Sequence, residues 1–160
     1  MPMPKILYTV AAALALVACT TASIQPGMTR ADVAAKWGQP TRVVPLPTGE
    51  RLQYSYQPWG QQAVMVDLDA AGRVTQVRQV LDEAEFARIS TKGDWTRADV
   101  EREFGPPAYV GSVASWDGPI LTYRWRGGMI DQLYWVYLDR AGVVRRAHAG
   151  MDPRQFRDSR

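Results

Sequence analysis

Three patterns of hydrophobic and polar positions recur along this chain. Val33 and Trp37, and again Val100 and Phe104, lie four residues apart in otherwise polar stretches, which places each pair on one face of a short helix. Thr29 with Asp32, and Thr96 with Asp99, have the spacing of a capping box in which aspartate replaces the usual glutamate. Gly38 and Gly105 supply left-handed stops, and Pro40, Pro106 and Pro107 prevent resumption. The predicted helices are about two turns long and need packing to persist.

The second pattern is alternation. Leu52, Tyr54 and Tyr56 interleave with Gln53, Ser55 and Gln57; Leu121, Tyr123 and Trp125 interleave with Thr122, Arg124 and Arg126. Val64, Val66 and Leu68 then share a face, as do Tyr134, Val136 and Leu138, and the Asp-x-Ala-Gly segments at Asp69 and Asp139 turn the chain into further strands near Val74 and Val144. Each helix is thus followed by a three-stranded antiparallel meander. The third pattern marks the joints: Leu81 and Phe86 flank Asp82, and Met151, Pro153 and Phe156 surround Asp152, so both aspartates read as N-caps of short helices.

These are one pattern written twice. Residues 28–40 and 95–107 are identical at seven of thirteen positions, where composition alone gives roughly one. Leu68-Asp69-Ala70-Ala71-Gly72-Arg73-Val74 likewise matches Leu138-Asp139-Arg140-Ala141-Gly142-Val143-Val144. The predicted fold is α+β, with tandem units over 27–80 and 81–149 and a C-terminal helix over 150–160 docked on the second sheet.

Before the first unit, Lys5 precedes an apolar run from Ile6 to Ala18, which is shorter than the roughly 18 residues of a membrane-spanning helix and fits the core of a signal peptide. Leu16-Val17-Ala18-Cys19 resembles a bacterial lipobox. The resemblance implies cleavage after residue 18, attachment of fatty-acyl chains such as palmitate at Cys19, and a lipidated tether over 19–26. Each buried methylene contributes about 0.8 kcal/mol, so two or three chains hold a protein on a bilayer. Thr20 stands where aspartate would favour retention in the inner membrane, which implies an outer-membrane location facing the periplasm.

Composition narrows the chemistry. The 160 residues carry 19 basic and 16 acidic side chains, too even a balance to indicate nucleic acid. With one cysteine and one histidine, neither a disulfide framework nor a zinc site of the usual ligands is available. Asp67, Asp69 and Gly72 faintly resemble a calcium loop, but Ala71 replaces a ligand and Arg78 stands where the closing glutamate belongs. Glu83 with Glu85, and Glu101 with Glu103, are two apart on helices and read as solvated faces. His148 reads as a surface residue at a strand end. No catalytic residue, metal or cofactor is expected, and no small-molecule substrate.

Gly27-Met28-Thr29, Val33, Gly38 and Pro40, followed by a tyrosine strand and an Asp-x-x-Gly-x-Val hairpin, resemble the SmpA/OmlA (BamE-like) family of outer-membrane lipoproteins. That resemblance implies two helices on a three-stranded sheet and a non-enzymatic role in outer-membrane protein assembly. Members of the assembly type usually carry one copy. Two copies are more similar to the β-lactamase inhibitor protein architecture, which implies as an alternative an inhibitor or modulator of an envelope hydrolase.

Both readings need a protein-binding surface. In the second unit, Trp135 and Tyr137 lie on the face opposite Tyr134, Val136 and Leu138, near Arg124 and Arg126. Aromatics flanked by arginines are the material of an interface, while the same rings equally suit a face buried against the other unit or the terminal helix. Trp116 and Trp59 occupy loop-like contexts and either meet a partner or cover the core. Arg145, Arg146, Arg154, Arg157 and Arg160 make the end of the chain basic.

Overall fold

The computed structural model describes residues 23–156. The expected signal peptide and lipobox, with Cys19, lie outside the described residues, as does the end of the chain after residue 156. No described helix is long and apolar enough to cross a membrane.

The fold is α+β with two antiparallel sheets. Helix α1 (Arg30–Trp37) precedes β1 (Arg42–Leu46), β2 (Gly49–Ser55), β3 (Ala63–Asp69) and β4 (Val74–Gln79), which form one sheet in that order. The one-turn α2 (Glu83–Phe86) and α3 (Arg97–Phe104) lead into β5 (Tyr109–Gly111), β6 (Ile120–Gly127), β7 (Ile130–Leu138) and β8 (Val144–Met151), again paired in sequence order. Each sheet therefore has four strands, not the predicted three. The added strands β1 and β5 are edges, and Pro45 in β1 is tolerated there because an edge residue need not donate to the ladder.

Helix ends follow the predicted chemistry. The Thr29 and Thr96 hydroxyls accept from Asp32 N and Asp99 N at 3.1 and 3.4 Å, and each aspartate accepts in return from the threonine N–H at 2.8 Å. Asp69 Oδ1 accepts from Ala71 N and Arg73 N, and Asp139 Oδ1 from Ala141 N and Val143 N, so each hairpin is pinned by its first residue. Gly49 and Gly118 both have positive φ and pass so close to a backbone carbonyl, of Leu68 and Leu138, that a Cβ would lie 2.0 and 2.1 Å from its oxygen.

Two segments differ from expectation. In the expected C-terminal helix over 150–160, β8 continues to Met151, a short 3-10 helix (Pro153–Phe156) follows, with Asp152 Oδ1 accepting from Arg154 N, and residues 157–160 lie outside the described residues. Within the expected tether over 19–26, Ile24 is instead buried with Val33, Leu52 and Val66, and the following Gly27 N donates to Val74 O.

The layers run α1, first sheet, α2 with α3, second sheet. Leu52, Tyr54, Val66 and Leu68 face α1 and close the smaller core. Ala63 and Met65, from the opposite face of the same sheet, join the larger core with Phe86, Val100, Phe104, Leu121, Tyr123, Trp125, Val136 and Leu138. Phe86 is central to it, stacked on Phe104 at 5.3 Å and on Tyr134 at 4.0 Å between ring centroids.

Candidate functional site: the outer face of the second sheet

The two sheets use their second faces differently. In the first sheet, the residues that alternate with Leu52 and Tyr54 are polar, as an exposed face would be, yet Arg51 and Gln53 are buried under α3. Gln53 Nε2 donates to the carbonyls of Glu101 and Arg102 at 2.9 and 3.0 Å, and Arg51 Nη1 to Arg102 O at 3.1 Å. These are last-turn carbonyls of α3; Glu101 O also accepts from Gly105 N at 3.0 Å, and the side chains of the sheet supply the further partners that the end of a helix needs. Arg51 also pairs with Asp67 at 2.6 Å and Glu103 at 3.0 Å, so α3 is bonded to this sheet by charge as well as by packing. Glu101 and Glu103, expected on a solvated face, are thus part of this joint.

No described helix lies over the corresponding face of the second sheet, although Ile120, Thr122 and Leu133 at its floor are themselves buried and Arg124 at one end is bonded to the β2–β3 loop. The face is built from Ile120, Thr122 and Arg124 on β6, Leu133, Trp135 and Tyr137 on β7, and Arg146, His148 and Gly150 on β8, set opposite one another by the register Ile120↔Tyr137, Thr122↔Trp135, Tyr137↔Arg146 and Trp135↔His148. Trp135 and Tyr137 are neither buried nor fully exposed. His148, in the body of β8 rather than at its end, lies between them: its ring centre is 5.2 Å from Trp135 and 5.4 Å from Tyr137, with Nε2 3.2 Å from the Tyr137 hydroxyl. The Arg146 guanidinium stands 5.2 Å over the Tyr137 ring and has no carboxylate partner among the described residues. Gly150 makes room for the indole, since a Cβ there would lie 2.6 Å from Trp135 Cζ3.

At one side of this face, Tyr109, Val113, Ile120, Thr122, Trp135 and Tyr137 line a concavity of about 310 Å³. Trp116 borders it edge-on to Tyr137 at 5.3 Å, its Nε1 donating to Leu138 O at 2.7 Å. The structure therefore brings Trp116, Trp135 and Tyr137 together. It assigns the two arginines elsewhere. Arg124 donates through Nη1 to Pro58 O and Trp59 O at 3.0 and 3.1 Å and through Nε to Asp152 at 3.4 Å, so it clamps a loop of the first unit. Arg126 is exposed at the far end of β6 and paired with Asp131 at 3.1 Å. Tyr109, Val113, Arg146 and His148 were not singled out for this site from the sequence. The three-residue β5 that presents Tyr109 is too short to register as alternation.

The arrangement suits adhesion: rigid rings with polar edges over a shallow apolar floor, beside an arginine without a carboxylate partner among the described residues. Among the described residues, no group of three His, Cys, Asp or Glu side chains could hold a metal ion. Asp139, by contrast, is occupied by its turn: the Val143 N–H, with Arg145, holds its carboxyl below the ordinary aspartate range.

No protein-family model matches the sequence, and no curated protein is similar to it. Two solved structures resemble the chain slightly. One is a DUF4309 family protein, YjgB, from Bacillus subtilis, with 18% identity, 78% of each chain covered and a TM-score of 0.32. The other is an extracellular protein containing an SCP domain from Bacillus anthracis, with 15% identity, 96% of this chain and 51% of that one covered, and a TM-score of 0.31. Similarity this slight bears on neither evolutionary family nor role.

Proposed function

We propose that this chain is a lipid-anchored, non-enzymatic protein-binding module of the bacterial envelope, held at the outer membrane through Cys19 and facing the periplasm, where it serves envelope assembly or integrity. The observation that carries this reading is the uncovered aromatic face of the second sheet, whose counterpart in the first sheet is buried under a helix. The half-buried Trp135 and Tyr137 rings, with exposed Tyr109 and Val113 beside them, gain by being covered, at about 25 cal/mol per Å² of apolar surface removed from water. The partner is expected to cover it, with the rings as anchors and Arg146 meeting an acidic group at the rim.

We also read the two halves as copies of one SmpA/OmlA-like unit. Supporting this are the paired capping boxes, the paired close approaches of Gly49 and Gly118, the bridges Thr29↔Arg73 and Thr96↔Val143, and the register shifts at Asp67/Leu68 and Tyr137/Leu138. Photo-cross-linking from position 135 in intact cells tests the functional reading. Adducts with assembly-machinery components support it, whereas a captured hydrolase that loses activity favours the inhibitor alternative.

A further inference from the structure

A second surface is built differently. The loop between β2 and β3 carries Trp59 with 90% of its surface exposed, so its indole contributes little to the core. The backbone beneath it is nevertheless held from many sides. Gly60 N donates to Tyr56 O at 2.6 Å, Gln57 Nε2 donates to Gly60 O and Arg124 O at 2.9 and 2.7 Å, and Gln57 Oε1 accepts from Arg124 N at 3.0 Å. Arg124 returns two bonds to the carbonyls of Pro58 and Trp59. A rigid mount under an exposed tryptophan presents that ring without the entropy loss of ordering a loop on binding.

Beside the ring, Tyr56, Gln61, Gln62, Gln79 and Arg126 line a cleft of about 850 Å³ that reaches the β6–β7 hairpin. Its walls are amide-rich, and the Arg126 charge is balanced by Asp131. The Gln62 carboxamide and the Tyr56 hydroxyl make no hydrogen bond within the described chain, so both are available to a ligand. A carboxamide both donates and accepts, as a sugar hydroxyl does. The flat ring suits the C–H face of a pyranose. An anionic ligand would call for an unpaired cation, and an apolar anchor for apolar walls. We propose that this cleft binds an uncharged oligosaccharide, with Trp59 as the stacking platform and Gln62 and Tyr56 meeting the hydroxyls.

The test is calorimetric titration of the full chain, in detergent, with chitotriose and with maltotriose. Binding of either sugar is expected, weakened about tenfold by Trp59→Ala and several-fold by Gln62→Ala. Met129→Ala, at an exposed hairpin tip outside the cleft lining, is expected to leave it unchanged. Absence of binding to both sugars overturns the proposal, as does a Trp59→Ala variant that binds as well as the parent. Equal losses in Trp59→Ala and Met129→Ala, or association with phosphatidylglycerol vesicles in place of either sugar, would mark a lipid-facing apolar tip and equally overturn it.

Discussion

The Tyr123 hydroxyl donates to the carbonyl of Gly105, the C-cap of α3, at 2.9 Å, inside the larger core. Tyr54 does the same to Gly38, the C-cap of α1, at 3.1 Å. Beside each sheet a tyrosine on the second strand thus locks the end of the preceding helix onto that sheet. Burial, the largest influence, pushes the Tyr123 hydroxyl well above its ordinary range, so it remains a proton donor. Tyr123→Phe should lower stability by about 1 to 3 kcal/mol, because it strands a buried carbonyl. Tyr54→Phe should cost less, since Tyr54 retains some exposure to water that can replace the bond. Urea denaturation midpoints of the two variants check the order.

Arg51 joins the first sheet to α3 and is 5% exposed between Asp67 and Glu103. Removing it leaves two carboxylates in a poorly hydrated joint. Arg51→Ala should therefore destabilise by about 3 to 5 kcal/mol, the range for breaking a buried ion pair from one side. Thermal or chemical denaturation reads this directly, and a loss below about 1 kcal/mol, as at a surface pair, would contradict the geometry.

The same joint predicts a dependence on acid. Burial pushes the Glu103 carboxyl up, but Arg51, with Arg102 and Arg88, outweighs it and holds the group below the ordinary glutamate value. A depressed carboxyl stabilises the fold above its unfolded pKa, near 4.3, and that contribution disappears as pH falls through the folded value. Asp99, lowered by its bond from Thr96, acts in the same direction. Stability should be level from neutrality to about pH 5 and fall below it, and Glu103→Gln should flatten the fall.

Much of this was legible in the sequence, for physical reasons that differ by element. Capping boxes, glycine stops and Asp-x-Ala-Gly hairpins are satisfied by atoms a few residues apart, so Thr29, Asp99, Gly105 and Asp139 behave as their local sequence dictates. The edge strands were not legible, because β1 alternates weakly and β5 has three exposed residues. The stacking of α3 on the first sheet was hidden for another reason: Arg51, Gln53 and Asp67 look like a solvated face, whereas Arg51 and Gln53 donate to helix carbonyls and Arg51 to the Asp67 carboxylate, all more than 10 residues away in sequence. That joint also decides which aromatic face is left uncovered. The alternation alone did not distinguish Trp135 as core from Trp135 as surface.

Gly150 offers a way to perturb the face without touching its rings. In Gly150→Ala the new methyl meets the far end of the Trp135 indole, which must move, while the backbone conformation suits alanine. The variant is expected to fold with a stability change of about 1 kcal/mol or less, to shift the indole resonance of Trp135, and to weaken partner capture. An unshifted indole would contradict the packing described here.

The proposed anchor is open to separate measurement. Metabolic labelling with a fatty acid should mark the wild-type chain and leave Cys19→Ser unlabelled, and persistent labelling of that variant would place the lipid elsewhere.

The central claim, that the uncovered aromatic face holds a protein, is tested most directly by photo-cross-linking in intact envelopes from position 135, with exposed Thr75 on β4 as the comparison site. A discrete adduct from 135 that is lost on Tyr137→Ala and absent from position 75 is the predicted result. No adduct from 135, or the same adducts from both positions, would contradict it.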